Sequence, residues 1–165
     1  MTREEALKLV QEDGHELENL PEEFKKDKKI VLEAVKQSIF GDALEHADDS
    51  FKKDREFILE AVKQDGHALE HADVSFKKDR EIVLAAVKQS RFGGALRYAD
   101  DSLRKDREFI LETVKQDGFA LEYVDDSLKK NKEIVLEAVR QNGRALQYAD
   151  DSLKNETDFR EFCDT

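Results

Sequence analysis

Residues 52–76 read KKDREFILEAVKQDGHALEHADVSF, and this stretch is written about five times along the 165-residue chain with small changes. The residue before each apolar run marks the start of a unit, and these starts are Asp27, Asp54, Asp79, Asp106 and Asn131. Their spacings alternate between 27 and 25 residues, and residues 25–76 and 77–128 are identical at 37 of 52 positions. The true period is therefore a pair of units. Periods of this size are typical of solenoids, in which stacking supplies the core that a single unit lacks.

The first half of a unit has the pattern of a short α-helix. Asp54 is placed as its N-cap, because a carboxylate there accepts hydrogen bonds from free backbone amides at the positive helix end. The apolar positions that follow cover two sides of the helix and are Phe57, Ile58, Leu59, Ala61 and Val62. We expect Asp65-Gly66 to end this helix, with the glycine in the left-handed conformation.

The second half of a unit also has apolar residues at helical spacing, which are Ala68, Leu69, Ala72 and Phe76. The small alanines allow close approach of helices, and Leu69 and Phe76 are expected to fill the space between layers. Asp73 would break this helix into two pieces if it capped a separate turn over residues 74–78. The sequence leaves that alternative open.

These repeats predict an all-α fold, an α-solenoid of short helix-turn-helix repeats of 25 and 27 residues. The expected organisation is a single repeat array over residues 1–165, with units that start near residues 2, 27, 54, 79, 106 and 131. Thr2 and Glu5 have the spacing of a capping box in the first unit. A partial C-terminal cap is expected from residue 156, with Arg160 where other units have valine or isoleucine. We expect a monomeric, elongated particle.

The composition restricts the class of partner. Charged residues of both signs make up 41% of the chain, and the net charge of −11 disfavours nonspecific attraction to nucleic acid or anionic lipid. No apolar run is long enough to span a membrane and residues 1–5 lack the apolar core of a signal peptide, so a soluble, cytoplasmic protein is expected. Delivery into a host cell is left open. Cys163 is the single cysteine, which excludes an internal disulfide and a zinc framework.

The unit pattern is Asp-x-Glu-Ile/Phe-Val/Ile-Leu-x-Ala-Val-x-Gln-x-Gly-x-Ala-Leu-x-x-Ala, as seen from Asp54 to Ala72 and, with Asn131 in place of the aspartate, up to Ala149. It resembles the helical repeat family known as domain of unknown function 4116, over about residues 2–160. The resemblance implies tandem helical repeats of a kind found in proteins of intracellular bacteria and protists, and it brings no catalytic residues. The connections at residues 38–41 and 90–93 are longer than the family's usual Gln-x-Gly connection.

His67 and His71 stand four residues apart on one helix face, a spacing that can present two imidazoles to a metal. Other units carry different pairs at the same positions, namely Asp42/His46, Phe119/Tyr123 and Arg144/Tyr148. Because these pairs cannot all be ligands, we expect no metal site. We interpret the two positions as half-exposed side chains with an apolar body and a polar tip.

Lysine pairs at residues 52–53, 77–78 and 129–130 would form a basic edge suited to nucleic acid. Acidic pairs precede them, and Asp48 stands four residues before Lys52. If that turn is helical, the acid and the base are i,i+4 neighbours that cancel the positive field. The acidic pairs also lack the alternating oxygen ligands and central glycine of a calcium loop. We therefore expect no nucleic acid partner and no calcium.

No Ser/His/Asp or Cys/His arrangement, phosphate-binding glycine loop or apolar-embedded carboxylate pair is present, so no enzyme and no cofactor are expected. Repeated helical units specify a surface, and we predict a protein-interaction scaffold with an unidentified protein partner. The first alternative is a structural spacer that stacks on neighbouring domains of a larger protein. The second is weak nucleic-acid binding.

Aromatic side chains in a charged surround are the candidate partner-binding residues: Phe40, Phe92, His71, Tyr98, Tyr123 and Tyr148. Phe40 and Phe92 stand in the longer connections, which other units do without. Large rings supply much of the energy at protein interfaces, so both are predicted anchors. The alternative is that both rings fold back over the ends of their own helices and fill a gap.

Overall fold

The computed structural model describes residues 1–39, 41–155 and 159 of the chain. In this part of the chain, α-helices alternate with short 3₁₀ helices, and no residue lies in a β-strand. The all-α repeat fold predicted from the sequence is confirmed. Phe40 lies outside the described residues, as does the expected C-terminal cap from residue 156 apart from Phe159, which is buried.

The chain forms two compact units, unit 1 over Met1–Gln89 and unit 2 over Ser90–Thr165. Unit 1 contains the ten-residue helices α1 (Arg3–Glu12), α3 (Lys28–Gln37), α5 (Arg55–Gln64) and α6 (Arg80–Gln89), and the one-turn helices α2 (Glu22–Lys25) and α4 (Asp49–Lys52). Its 3₁₀ helices are Gly14–Asn19, Asp42–His46, Gly66–His71 and Phe76–Lys78.

Unit 2 repeats the same alternation. Its ten-residue helices are α8 (Arg107–Gln116) and α9 (Lys132–Gln141), and its one-turn helices are α7 (Asp101–Arg104) and α10 (Asp151–Lys154). The 3₁₀ helices are Arg91–Tyr98, Gly118–Tyr123 and Gly143–Tyr148. No helix of the described residues is long and apolar enough to cross a membrane.

Side-chain caps start the ten-residue helices. The Asp54 carboxylate accepts a hydrogen bond of 3.1 Å from the Phe57 amide, as expected for an N-cap. Thr2 and Glu5 form both hydrogen bonds of the predicted capping box. Asn131, which replaces the cap aspartate, also caps its helix by accepting from the amides of Glu133 and Ile134. The asparagine therefore retains the capping function without the charge.

The ten-residue helices form the core of each unit. In α5 the side chains of Phe57, Ile58, Ala61 and Val62 are buried, and Leu59 is partly exposed. This helix packs against α3, α6 and the 3₁₀ helix Gly66–His71. Burial on two sides explains the broad apolar stripe of the sequence and confirms the expectation of a sandwiched helix.

The second half of each repeat is a 3₁₀ helix followed by a separate turn. Ala68 and Leu69 are buried in the 3₁₀ helix, and Ala72 then adopts an extended backbone with ψ 155°. Asp73 accepts a hydrogen bond of 2.9 Å from the Ser75 amide and so starts the next turn. The break that the sequence left open is therefore real. Phe76 in that turn is partly exposed, so Leu69 alone of the two expected fillers is fully buried.

The predicted left-handed glycine at the end of α5 is wrong. Asp65 is extended there with φ −142°, and its carboxylate accepts from the His67 amide at 2.9 Å to cap the following 3₁₀ helix. In unit 2, the glycine at the equivalent position is required for space. At the equivalent Gly118, a Cβ atom would lie 2.3 Å from the Ala138 carbonyl oxygen of the next long helix.

Successive repeats are also joined by polar contacts. The Asp73 amide donates to the Lys52 carbonyl at 2.9 Å, and the Asp125 amide donates to the Arg104 carbonyl at 3.2 Å. Arginine in the first turn of every second long helix reaches the start of the next one, in the pairs Arg3–Asp27, Arg55–Asp79 and Arg107–Glu133. These arginines recur at intervals of 52 residues, which is the two-repeat period of the sequence.

The expected pairing of Asp48 with Lys52 is wrong, although the turn is helical. Asp48 is the N-cap of α4, so its carboxylate accepts from the amide and the hydroxyl of Ser50. Lys52 pairs with Asp49 at 3.1 Å instead and donates to the Glu45 carbonyl at 2.8 Å. A capping carboxylate points toward the helix start, which leaves the next acid to meet the lysine.

Candidate partner-binding site

The 3₁₀ helices carry the aromatic and imidazole side chains that differ most between repeats. All four histidines of the chain lie on such segments in unit 1, and all three tyrosines end such segments in unit 2. Buried alanine and leucine anchor each segment to its long helix, as Ala120 and Leu121 do in Gly118–Tyr123. The side chains between and beyond these anchors are left to face outward.

His71 lies in unit 1, with a half-buried side chain that is 17% exposed. Its Nε2 is 3.8 Å from Oδ1 of Asp42, too far for a hydrogen bond, and is buried without a partner in the described part of the chain. The Nδ1 atom of His67 lies 2.9 Å from Oδ1 of Asp65. The two imidazoles thus face different carboxylates. No group of three or more His, Cys, Asp or Glu side chains is placed to hold a metal in the described ranges.

Phe92 is 60% exposed and has a left-handed backbone with φ 57° and ψ 33°. Among the residues that the structure describes, no other non-glycine residue has a positive φ. The ring does not fold back into the core of its own repeat. It lies edge-on to Phe119 of the following repeat, with centroids 5.2 Å apart and an interplanar angle of 86°.

Phe119 continues this contact to a third repeat. Its ring centroid is 6.3 Å from that of Tyr148, at an interplanar angle of 72°. We call Phe92, Phe119 and Tyr148 the aromatic row. Phe119 was not among the predicted site residues, although its position already indicated an exposed place. The equivalent residues of other repeats are His15, Asp42, His67, Gly94 and Arg144, a set too varied in polarity for a core position.

Tyr123 and Tyr148 both lie near the carboxylate of Glu122. Burial, and then the negative charge of Glu122, raises the pKa of Tyr123. Burial, and then a hydrogen bond to Glu122, raises the pKa of Tyr148. Tyrosines of two successive repeats therefore lie close to one acid. Both phenols stay protonated at neutral pH and are able to donate to it.

Arginine flanks this group of rings. The guanidinium carbon of Arg97 lies 5.3 Å from the ring centroid of Tyr98, within the range of a cation–π contact. Arg97 is exposed and Tyr98 is partly exposed. Arg144 is exposed too, and it occupies in its repeat the position that Phe119 occupies one repeat earlier. The structure thus brings four predicted residues, Phe92, Tyr98, Tyr123 and Tyr148, onto the 3₁₀ helices of unit 2.

The lysine pairs contact acidic side chains or backbone carbonyl oxygens. Lys129 is 3.0 Å from Asp126, and Lys130 is 3.9 Å from Asp150. In unit 1, Lys77 donates to the Glu70 carbonyl at 2.7 Å. Carboxylates thus lie beside Lys129 and Lys130, but they are not the i,i+4 acids that the sequence pattern predicted.

Chemically, the aromatic row offers apolar area for contact together with polar groups at its edges. Its rings come from three successive repeats, and the packing of those repeats fixes their spacing. Buried Gly93, with φ 63°, sets the close approach, since a Cβ atom there would lie 2.5 Å from Cα of Ala120. The row is thus positioned by backbone packing.

Comparison with known proteins identifies the repeat. The family model described as Domain of unknown function (DUF4116) matches residues 2–52, 38–77, 54–104, 79–129, 106–154 and 131–161. No curated protein and no solved structure gives a significant match. Six overlapping matches tile nearly the whole chain, as the sequence resemblance implied, and the chain belongs to the DUF4116 family.

Proposed function

We propose that this chain is a non-enzymatic protein-interaction scaffold that uses the aromatic row of unit 2 as its contact surface. The observation that carries the proposal is the exposed ring of Phe92, held on a left-handed backbone. A left-handed conformation costs a non-glycine residue roughly 1–2 kcal/mol. Repeat connections such as Asp117-Gly118 join the same elements without this residue, so stacking does not require the strained phenylalanine.

The energetics favour a role in binding. Phe92 exposes 60% of its surface to water, and burial of that exposed part against a partner is worth about 2 kcal/mol. Phe119 already supports one edge of the ring, so little conformational freedom remains to be lost when a partner covers it. Aromatic residues that are rigid before binding are frequent among the side chains that dominate interface energies.

Substitution of Phe92 by serine tests this proposal. We expect Phe92→Ser to abolish capture of protein partners from a cell lysate by the immobilised chain. The melting temperature should change little, because the ring is mostly exposed. Val74→Ser is the matched control, since Val74 is 66% exposed in unit 1 and also loses apolar surface. It should leave capture intact.

The structural-spacer alternative gives a different result in the same experiment. A spacer stacks on neighbouring domains through its repeat ends, so Phe92→Ser would leave capture unchanged. A fall in melting temperature with unaltered capture would show that Phe92 contributes to packing and not to partner binding. The proposal also includes a monomeric chain, which sedimentation equilibrium tests directly.

A further inference from the structure

We infer that the aromatic row binds a short acidic segment of a partner protein, with Arg97 and Arg144 receiving its carboxylates. This inference rests on the proposed function and adds the chemistry of the partner. It is carried by an imbalance of charge around the aromatic row. Positive side chains there lack carboxylate partners, whereas elsewhere in the described chain the arginines are engaged.

Arginines outside the 3₁₀ helices are engaged. Those with carboxylate partners are Arg3, Arg55, Arg104, Arg107 and Arg140, and Arg80 also has an interaction. The three on the 3₁₀ helices of unit 2 are Arg91, Arg97 and Arg144, which are all exposed. Within residues 1–39, 41–155 and 159 these three form no ion pair. Arginines without an ion pair thus lie on the same segments as the exposed ring of Phe92.

The same segments carry little acid. Residues 91–98, 118–123 and 143–148 carry three arginines and one carboxylate, that of Glu122, which interacts with Tyr123 and Tyr148. Their formal charge is therefore 3 − 1 = +2, in a chain with net charge −11. The equivalent segments of unit 1 carry no lysine or arginine and five acids, Glu16, Glu18, Asp42, Glu45 and Glu70. These segments of unit 2 thus carry a net positive charge, whereas the equivalent segments of unit 1 do not.

An acidic peptide complements this surface in two respects. Arginine forms bidentate, charge-assisted hydrogen bonds with carboxylates, and its planar guanidinium is suited to partly desolvated sites. Arg97 is already held over the Tyr98 ring, which orients the guanidinium before binding. An apolar side chain of the same peptide would cover the exposed ring of Phe92. Aromatic and arginine side chains together are the composition typical of interface hot spots.

Single-stranded nucleic acid fits less well. Bases stack on ring faces that lie open and roughly parallel to the strand path. In the aromatic row, neighbouring rings meet edge to face, at 86° and 72°. A long polyanion would also run onto the acidic pairs that start α7 and α10. A short segment with a few carboxylates avoids that repulsion.

Selection from random linear peptides displayed on phage tests the inference on the full chain. We expect the enriched peptides to be acidic and to carry at least one large apolar residue. Fluorescence anisotropy with an enriched peptide then measures affinity. Arg97→Gln and Arg144→Gln should each weaken binding by about tenfold, the usual effect of losing one charged hydrogen bond. Added salt should weaken binding further.

Arg140→Gln provides the matched control. Arg140 is exposed in unit 2 and loses the same charge on substitution, but it lies on α9 beside Glu137. It should leave peptide affinity unchanged. All three arginines are exposed, so the variants should fold, and unchanged circular dichroism spectra would verify this. If the Arg140 variant bound the peptide as weakly as the other two variants, the loss of affinity would be due to net charge alone. That result would overturn the inference.

The remaining outcomes separate this inference from the proposed function. Neutral or basic peptides that lose binding in Phe92→Ser but not in the arginine variants would overturn the acidic partner and leave the scaffold proposal standing. Failure to enrich any peptide would overturn the inference, while the lysate experiment would still decide the proposed function. Tighter binding of a single-stranded oligouridylate than of the acidic peptide would assign the site to nucleic acid instead.

Discussion

Because the backbone at position 92 is left-handed, the usual order of stability, in which alanine is better than glycine, should be reversed there. In a regular helical position, alanine is more stable than glycine by about 0.5–1 kcal/mol. At φ 57° alanine retains the steric penalty that glycine lacks, and both variants lose the same ring. We therefore predict that Phe92→Gly is more stable than Phe92→Ala by about 1 kcal/mol. Urea denaturation of the two variants measures the difference, and equal or reversed midpoints would contradict the backbone geometry.

Individual residues also show what a sequence can predict. The caps at Thr2 and Asp54 follow from side-chain chemistry that acts over three residues, so local pattern was sufficient. Glycine is ambiguous by comparison, because it serves either a positive φ or a close approach. Gly118 serves close approach and Gly93 serves both, and only the packed neighbours distinguish the two cases.

At the scale of elements, the inside and outside faces of the repeat lead to a stability prediction. Leu69 is fully buried in its 3₁₀ helix, whereas Glu60 is exposed on α5 and pairs with Lys28 at 2.8 Å. Leu69→Ala should lower the free energy of unfolding by about 2–5 kcal/mol through lost burial and a residual cavity. Glu60→Ala is the control and should change it little, because exposed ion pairs contribute little. Identical denaturation midpoints for the two variants would show that the faces are wrongly assigned.

The type of helix in the second half of each repeat could not be predicted from the sequence. Apolar spacing predicted the long helices, but it did not distinguish an α-helix from the 3₁₀ helix Gly66–His71. Both place alanine and leucine on one face over so few residues. Two of the three rings in the aromatic row, Phe92 and Tyr148, were predicted, and the third was missed for a related reason. Phe92 stood out as an extra residue, whereas the role of Phe119 depends on a contact between repeats that local pattern does not contain.

For the whole molecule, the repeat period predicted the all-α fold, because repeats of nearly the same sequence adopt the same structure. The single array over residues 1–165 stays a prediction beside the two compact units, Met1–Gln89 and Ser90–Thr165. Because the repeats are nearly identical in sequence, no obvious local feature marks where one compact unit ends. The boundary falls at the second of the two longer connections, between Gln89 and Ser90.

Acid should destabilise the chain through its repeated turn caps. Serine hydroxyl and amide groups that donate to the carboxylate lower the pKa of each capping aspartate: Asp48, Asp73, Asp125 and Asp150. A lowered pKa in the folded state contributes stability above the unfolded value of about 3.9, and this is lost as pH falls through the folded pKa. We predict that the free energy of unfolding falls between about pH 4 and pH 2.

Asparagine at the same four positions provides the control for the acid prediction. It caps helix starts nearly as well as aspartate but does not titrate, as Asn131 shows in this chain. Urea denaturation at several pH values should show a shallower acid dependence for the fourfold variant than for the native chain. Identical pH profiles would mean that these caps do not cause the loss.

Photo-crosslinking tests the central claim, that the aromatic row is the surface which a protein partner contacts. p-Benzoyl-phenylalanine in place of Phe92 keeps an aromatic ring at the site and reacts with whatever covers it. The matched probe replaces Val74, which is equally exposed in unit 1. We predict a discrete protein adduct from position 92 in lysate and none from position 74. An adduct from position 74 with none from position 92 would show that the aromatic row is not the contact surface.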